Sequence, residues 1–76
     1  MKIVEITWLD SVAAGGQWEE LDVAKGMTLS KCRSVGFLIH RDKERITLAQ
    51  SLGRNEQAVI NVVSIPKGCV LDIKEL

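Results

Sequence analysis

The sequence predicts an all-β protein, a small and strongly bent five-stranded barrel with a short helical turn in the loop after the first strand. Segments rich in β-branched and apolar residues are separated by turn-forming residues every 8 to 12 residues or so, roughly the spacing of small barrels and sandwiches. The 76 residues are 46% hydrophobic and 26% charged, an ordinary balance for one small globular domain. We therefore expect residues 1–76 to form a single β-barrel domain.

A predicted hairpin lies at the centre of this domain. Its first strand covers residues 27–40, its charged turn residues 41–44 and its returning strand residues 46–50. Both faces of the first strand become apolar around Gly36. Because a strand commonly bends at an interior glycine, we expect a bend there that lets the strand serve two sheets or close a barrel.

Three further strands complete the predicted barrel. Residues 1–9 alternate so that Val4, Ile6 and Trp8 share one face. We expect Trp8 to cover one end of the core, with a stacking role toward a ligand or base as the alternative. The remaining two strands are predicted at residues 58–65 and 69–76, joined by a tight turn that contains a proline and a glycine.

The loop after the first strand is predicted over residues 10–16, followed by one or two helical turns over residues 17–24. Trp18 and Leu21 are three positions apart, so they lie on one side of such a helix. We expect Trp18 to act as a lid over an open barrel end, and a direct binding role is the alternative. Gly26 ends the segment.

The charge balance narrows the classes of partner. Ten basic side chains offset ten acidic ones, and zero net charge disfavours a strong non-specific nucleic-acid binder. No apolar run approaches the ~20 residues of a membrane span, so no membrane association is expected. Glu5 and Asp10 interrupt the region that would be apolar in a signal peptide, which predicts a cytoplasmic protein.

The residue types needed for catalysis or metal binding do not occur in a recognisable pattern. Cys32 and Cys69 are far apart in the chain, and the single His40 completes no zinc site at a usual spacing, so we expect buried free thiols and no metal or cofactor. A phosphate-binding glycine loop, a zinc-protease helix and a nucleophile elbow are all missing. The acids of the charged turn, Asp42 and Glu44, are expected to pair with neighbouring basic side chains. We predict no enzymatic activity.

Two segments resemble a known family. The residues VGFL at 35–38, followed by Asp42 and by apolar residues at 46 and 48, resemble the first Sm motif. Residues 65–73, IPKGCVLDI, look like the second Sm motif. The resemblance covers about half of the chain and implies an SH3-like, strongly bent barrel of five strands that assembles into rings and often binds RNA.

Two positions differ from the Sm pattern. The base-contacting asparagine of the first motif falls near Ile46, and the arginine of the second motif is Lys67, which has no planar face to stack on a base. In an RNA-binding protein, three residues would line a basic face and two others would offer a stacking plane. The basic residues are Lys31, Arg33 and Lys67, and the stacking residues are His40 or Trp8.

The whole chain also resembles small uncharacterised proteins of tailed bacteriophages and prophages, through WLDS at 8–11, SVGFLI at 34–39 and IPKG at 65–68. That likeness implies a phage or prophage origin and the cytoplasm of the host bacterium. The favoured hypothesis is a non-enzymatic accessory protein, an oligomeric barrel that binds a ligand or a macromolecular partner. An Sm-like RNA-binding protein and a sponge for a host signalling nucleotide are the alternatives.

Self-association is predicted from the fourth strand, residues 58–65, because both of its faces are largely apolar. Neither this strand nor the last one has the interior proline or row of lysines that protects a sheet edge. Pairing the fourth strand with the last strand of a neighbour is a head-to-tail contact, which closes into a ring if the rotation between copies allows. The alternative is a monomer in which Trp18 and Leu21 cover the apolar face. The expected interface residues are Val59, Ile60, Val62, Val63 and Val70.

Overall fold

A computed structural model describes residues 1–76 as one antiparallel sheet of five strands in the order β4-β3-β2-β1-β5. The all-β prediction and the number of strands are confirmed. The single α-helix, α1, lies between β1 and β2, and 3₁₀ turns occupy Arg54–Glu56 and Lys67–Cys69. The elements are β1 (Ile3–Asp10), α1 (Leu21–Lys25), β2 (Ser30–Arg41), β3 (Arg45–Leu52), β4 (Val59–Pro66) and β5 (Val70–Glu75).

The two edge strands of the sheet are joined by a very short connection. In a flat sheet of this order, β4 and β5 would lie four strand spacings apart, about 19 Å. The chain from Pro66 to Val70 spans at most ~14 Å, because only Lys67–Cys69 lie between the two strands. The sheet must therefore curl toward itself at this end. It stays open, since β4 and β5 do not pair with each other.

The hydrophobic core lies on one face of this curved sheet. Its members come from strands that are not all neighbours: Val4 and Ile6 from β1, Ile46 and Leu48 from β3, and Ile65 from β4. Each exposes 3% or less of its surface. The alternation predicted for the first strand is confirmed. The partly buried side chains that pack against this core are Trp8, Leu38, Cys69, Val70 and Ile73.

β2 changes partners along its length. Residues 30–37 pair with β1, and the segment from Phe37 to Arg41 pairs with β3. The register against β3 shifts between Leu38 and His40, which leaves one extra residue in β2. Such a bulge bends a strand and increases its twist. The structure has one sheet, which stays open, so the expected role of this strand in two sheets or in a closed barrel is not observed. The register shift also lies beyond Gly36, where we expected the bend.

Gly36 has a different role from the predicted one. It is buried between β1 and β3, and a Cβ at this position would lie 2.7 Å from the backbone oxygen of Ala49. A side chain of any size would therefore push β3 away from β2. Glycine is needed here for the close approach of two backbones.

Two predicted boundaries differ from the structure by three residues or more. β2 begins at Ser30, three residues later than expected, because Ser30 faces Asp10, the last residue of β1, and the preceding residues have no strand to pair with. The helix covers Leu21–Lys25 and not residues 17–24. The residue before it, Glu20, offers no side-chain cap, so nothing extends the helix toward Trp18. No helix in the structure has the length and apolar character needed to cross a membrane.

Residues 11–29 form an arm that projects from the sheet. All of them are exposed, and Trp18 is fully so. The predicted lid role of Trp18 is therefore wrong within a single chain. The arm leaves the sheet at the pair formed by Asp10 and Ser30, four residues or ~13 Å beyond Ile6, so no open core end lies beneath it. The projection contributes to an elongated molecule, 53 × 24 × 20 Å.

We expect Gly36→Val to destabilise the protein by about 1–3 kcal/mol, the usual effect of forcing extra atoms into a packed site. The new side chain would collide with the Ala49 carbonyl, which is fixed in the β3 ladder. Thermal and urea unfolding followed by circular dichroism would measure the change. Gly68→Ala is the matched control, because a Cβ there meets no atom within 4 Å. Equal stability of the two variants would contradict this account of Gly36.

Candidate functional site

The structure does not gather the five predicted ligand or RNA contacts into one place. Lys31 and His40 are nine residues apart on the same strand, roughly 30 Å if it were straight. Lys67 lies after β4, where its backbone N–H donates to the Glu44 carbonyl at 2.8 Å, which places it beside the β2–β3 turn. The candidates therefore form two separate groups.

Trp8 and the basic residues of β2 lie on opposite faces of the sheet. In the pairing with β1, Trp8 faces Cys32, whereas Arg33 and Lys31 belong to the alternate positions of β2. The indole ring packs against the core, and its Nε1–H donates to Ser34 Oγ at 3.0 Å. The prediction that Trp8 covers part of the core is confirmed. Its ring is not a free stacking plane beside the basic side chains.

Arg33 is engaged by an acid of the neighbouring strand. Its Nε donates to Glu5 Oε1 at 3.0 Å and its Nη2 to Glu5 Oε2 at 3.3 Å, a two-pronged ion pair. These hydrogen bonds hold the pKa of Glu5 below its ordinary value and raise the pKa of Arg33. The pair neutralises the charge of Arg33, and Lys31 remains on this face without an ion pair.

Asp42 organises the turn between β2 and β3. Its Oδ1 accepts the backbone N–H groups of Glu44 at 2.7 Å and Arg45 at 2.9 Å. Its Oδ2 lies 2.6 Å from His40 Nε2 and accepts from Arg45 Nη1 at 3.1 Å. The contact with His40, followed by the two backbone hydrogen bonds, holds the pKa of Asp42 far below its usual range. The expected pairing of Asp42 with a basic neighbour is confirmed, and His40 is part of this turn-stabilising group.

A cleft of about 160 Å³ opens where the first residues of the chain meet the ends of β2 and β5. Lys2 and Glu75 form an ion pair across it at 3.6 Å. Nothing in the sequence pattern pointed to this cleft, because strand pairing alone brings its walls together. Clefts that enclose a small molecule commonly measure roughly 300–1,000 Å³, so this one can hold only a fragment. Its lining residues are Lys2, Val4, Leu38, Arg41, Ile73 and Glu75.

Cys32 and Cys69 are both free thiols, as expected, although they are half-buried and not fully enclosed. The structure contains no group of three or more histidine, cysteine, aspartate or glutamate side chains placed to hold a metal ion. Apolar side chains without a partner are exposed in β4 and in residues 11–29.

The exposed apolar side chains of β4 are called the β4 patch below. Within β4 only Ile65 is buried. For Val59 and Ile60 the reason lies in the neighbouring strands. β2 pairs with β3 no further than Ala49, so the end of β3 and the start of β4 pair only with each other, as a two-stranded ribbon. The patch consists of Val59, Ile60, Val62 and Val63, which expose 42%, 60%, 52% and 37% of their surfaces. The fifth predicted interface residue, Val70, is instead half-buried against the core.

The outer edge of β4 is free along its length, as predicted, and so is the edge of β5. Asn61 interrupts β4 with a φ of 55°, in the left-handed region, and its side-chain amide donates to Gln50 Oε1. A kink of this kind turns part of an edge away from a pairing strand. The segment that stays regular runs from Val62 to Pro66.

No protein-family profile matches the chain, and no curated protein and no solved structure matches it significantly. The class of protein is therefore defined by the fold itself: a five-stranded, open, curved antiparallel sheet with an exposed apolar edge strand.

We expect the contribution of Asp42 to stability to depend on pH. Because folding lowers its pKa, the carboxylate stabilises the folded chain above its unfolded pKa of about 4, and this effect is lost as the pH falls below that value. Wild type should therefore unfold at a higher temperature than Asp42→Asn at neutral pH, and the gap should shrink in acid. Thermal melts across this range measure it.

Glu44→Gln is the matched control for this measurement, because the Glu44 side chain makes no ion pair and the turn uses only its backbone. Its difference from wild type should stay small at every pH. A gap between wild type and Asp42→Asn that does not change with pH would contradict the role given to this carboxylate.

Proposed function

We propose that this protein is a non-enzymatic binding protein that acts as a homo-oligomer assembled through β4. The observation that supports this proposal is the β4 patch, in which Val59 and Val63 belong to one set of alternate positions and Ile60 and Val62 to the other. Both faces of this edge strand therefore expose apolar side chains, and the burial of such side chains against a partner is favourable. The patch also lies at a free sheet edge, where backbone groups are available for pairing.

The pairing that fits these edges joins β4 of one copy to β5 of the next. The two edges lie on opposite sides of the same sheet, so the contact is head-to-tail and repeats from copy to copy. A ring results when the rotation between copies closes. The regular segment from Val62 to Pro66 is the part of β4 suited to this contact, because Asn61 kinks the strand before it.

We further propose that the curved sheet is an SH3-like, Sm-like barrel left open between β4 and β5. The bulged β2 and the three-residue connection between the edge strands support this proposal, since both bend a sheet toward closure. The setting proposed for the protein is the cytoplasm of a bacterium that carries a phage or prophage, where it would act as an accessory protein.

Two observations bear on the alternative functions. For RNA binding, Arg33 is neutralised by Glu5, and Trp8 packs against the core, so a continuous basic and stacking surface is missing from a single chain. For nucleotide sequestration, the cleft beside Lys2 is too small for a nucleotide in one chain. Self-association is the function that the exposed surface supports best.

We expect filter binding with oligo-U and oligo-A at moderate salt to show affinities no tighter than ~100 μM, the weak end of non-specific association. The basic side chains that would contact RNA are dispersed and partly paired. Clearly tighter and base-dependent binding, weakened by Lys31→Ala, would contradict this expectation and favour the RNA-binding alternative.

We expect light scattering at micromolar concentration to give a mass well above that of one chain, and Val62→Lys to reduce it to the monomer mass. A lysine in the β4 patch places a charge where apolar surface must be buried. Val35→Lys is the matched control, since Val35 is similarly exposed but lies on β2 and belongs to neither β4 nor β5. A wild-type monomer that persists at high concentration, or an oligomer indifferent to Val62→Lys, would contradict the proposal.

A further inference from the structure

The arm carries six large apolar side chains that are exposed. None of its residues is buried, although it includes a formed helix, α1. Loops that are simply solvated are usually composed of polar residues. The large apolar residues of the arm that are exposed are Val12, Trp18, Leu21, Val23, Met27 and Leu29.

The arm and the rest of the chain have opposite charges. The arm contains three acids, Glu19, Glu20 and Asp22, and a single base, Lys25, which gives it a net charge of −2. Because the whole chain has a net charge of zero, the remaining residues carry +2. None of the three acids forms an ion pair within its own chain.

The surroundings of β4 complement the arm in apolar surface and in charge. The β4 patch supplies exposed valine and isoleucine side chains. Arg54 precedes the strand and Lys67 follows it, and neither is engaged in an ion pair. Glu56 is the only acid in residues 53–68. An apolar surface with basic ends is thus present in the same chain as an apolar arm with acidic residues.

The arm does not cover the patch of its own chain. Trp18 is fully exposed, and Ile60 and Val62 of the patch expose 60% and 52% of their surfaces. Both surfaces are therefore free for another molecule.

We propose that the arm docks on a second copy of this chain, with Trp18 and Leu21 packed on the partner's β4 patch and the acids of the arm near the basic ends of that strand. The proposal rests on the self-association proposed above and adds the element that covers the apolar surface. Burial of both apolar surfaces drives the contact, and the opposite charges set its orientation. High salt should weaken the association because it screens those charges.

Light scattering over a range of concentrations tests this contact with two variants, each of which alters one side of the proposed interface. The arm variant combines Trp18→Ser with Leu21→Ser, and the patch variant is Val62→Lys. The arm variant should keep the wild-type fold by circular dichroism, because both side chains are exposed and neither packs against the core. Val12→Ser is the matched control within the arm, outside the segment assigned to docking.

Each variant alone should associate at least tenfold more weakly than wild type, whereas Val12→Ser should not. An equal mixture of the two variants should form a two-chain complex, since the patch variant offers an intact arm and the arm variant an intact patch. Emission from Trp18 should shift to the blue in that mixture as its indole leaves water.

The outcomes separate this inference from the proposed function. If the arm variant associates like wild type while Val62→Lys is monomeric, the arm inference is wrong and assembly through β4 stands. If each variant is monomeric and the mixture stays monomeric, the arm and the patch are not partners, which also overturns the inference. A wild-type chain that remains monomeric at every concentration overturns both proposals.

Discussion

The three-residue connection between β4 and β5 is the constraint on which the rest of the structure depends. It ties together the two edges of a five-stranded sheet that would be well separated if the sheet were flat. The resulting curl lets Ile6, Ile46 and Ile65 meet in one core, although their strands are not all adjacent. Gly36 permits the close approach of β3 to β2, because a side chain at that position would collide with the β3 backbone.

A core built in this way is small. Only eight of the 76 residues are buried, so much of the apolar content of the chain remains at the surface. Small domains often gain additional stability from a partner subunit, because their own interior cannot bury enough apolar area. The β4 patch and the arm are the two places where this chain has apolar surface to offer, and both lie outside the curled part of the sheet.

Several charged residues, in contrast, are engaged by contacts within the chain. Arg33 is neutralised by Glu5, and Asp42 joins His40 and Arg45 in a group that holds the turn. Arg33 and His40, which were predicted as binding residues, therefore stabilise local structure instead.

The sequence by itself determined the strands and their inward faces. Alternation in β1 placed Val4 and Ile6 on the face that forms the core. The charged turn and the proline–glycine turn lie where the sequence predicted them. These features depend on side-chain order along one strand, which local periodicity records directly. The apolar character of β4 likewise followed from its own residues.

Tertiary structure alone decided how those strands meet the rest of the chain. It set the register shift beyond Leu38, the close approach at Gly36 and the pairing of Arg33 with Glu5, because each involves residues distant in sequence. It also left Trp18 in solvent, since the arm departs beyond the end of the core, a distance that no local pattern encodes. Contacts between strands depend on pairing and curvature, whereas a sequence pattern reports only which face each residue occupies.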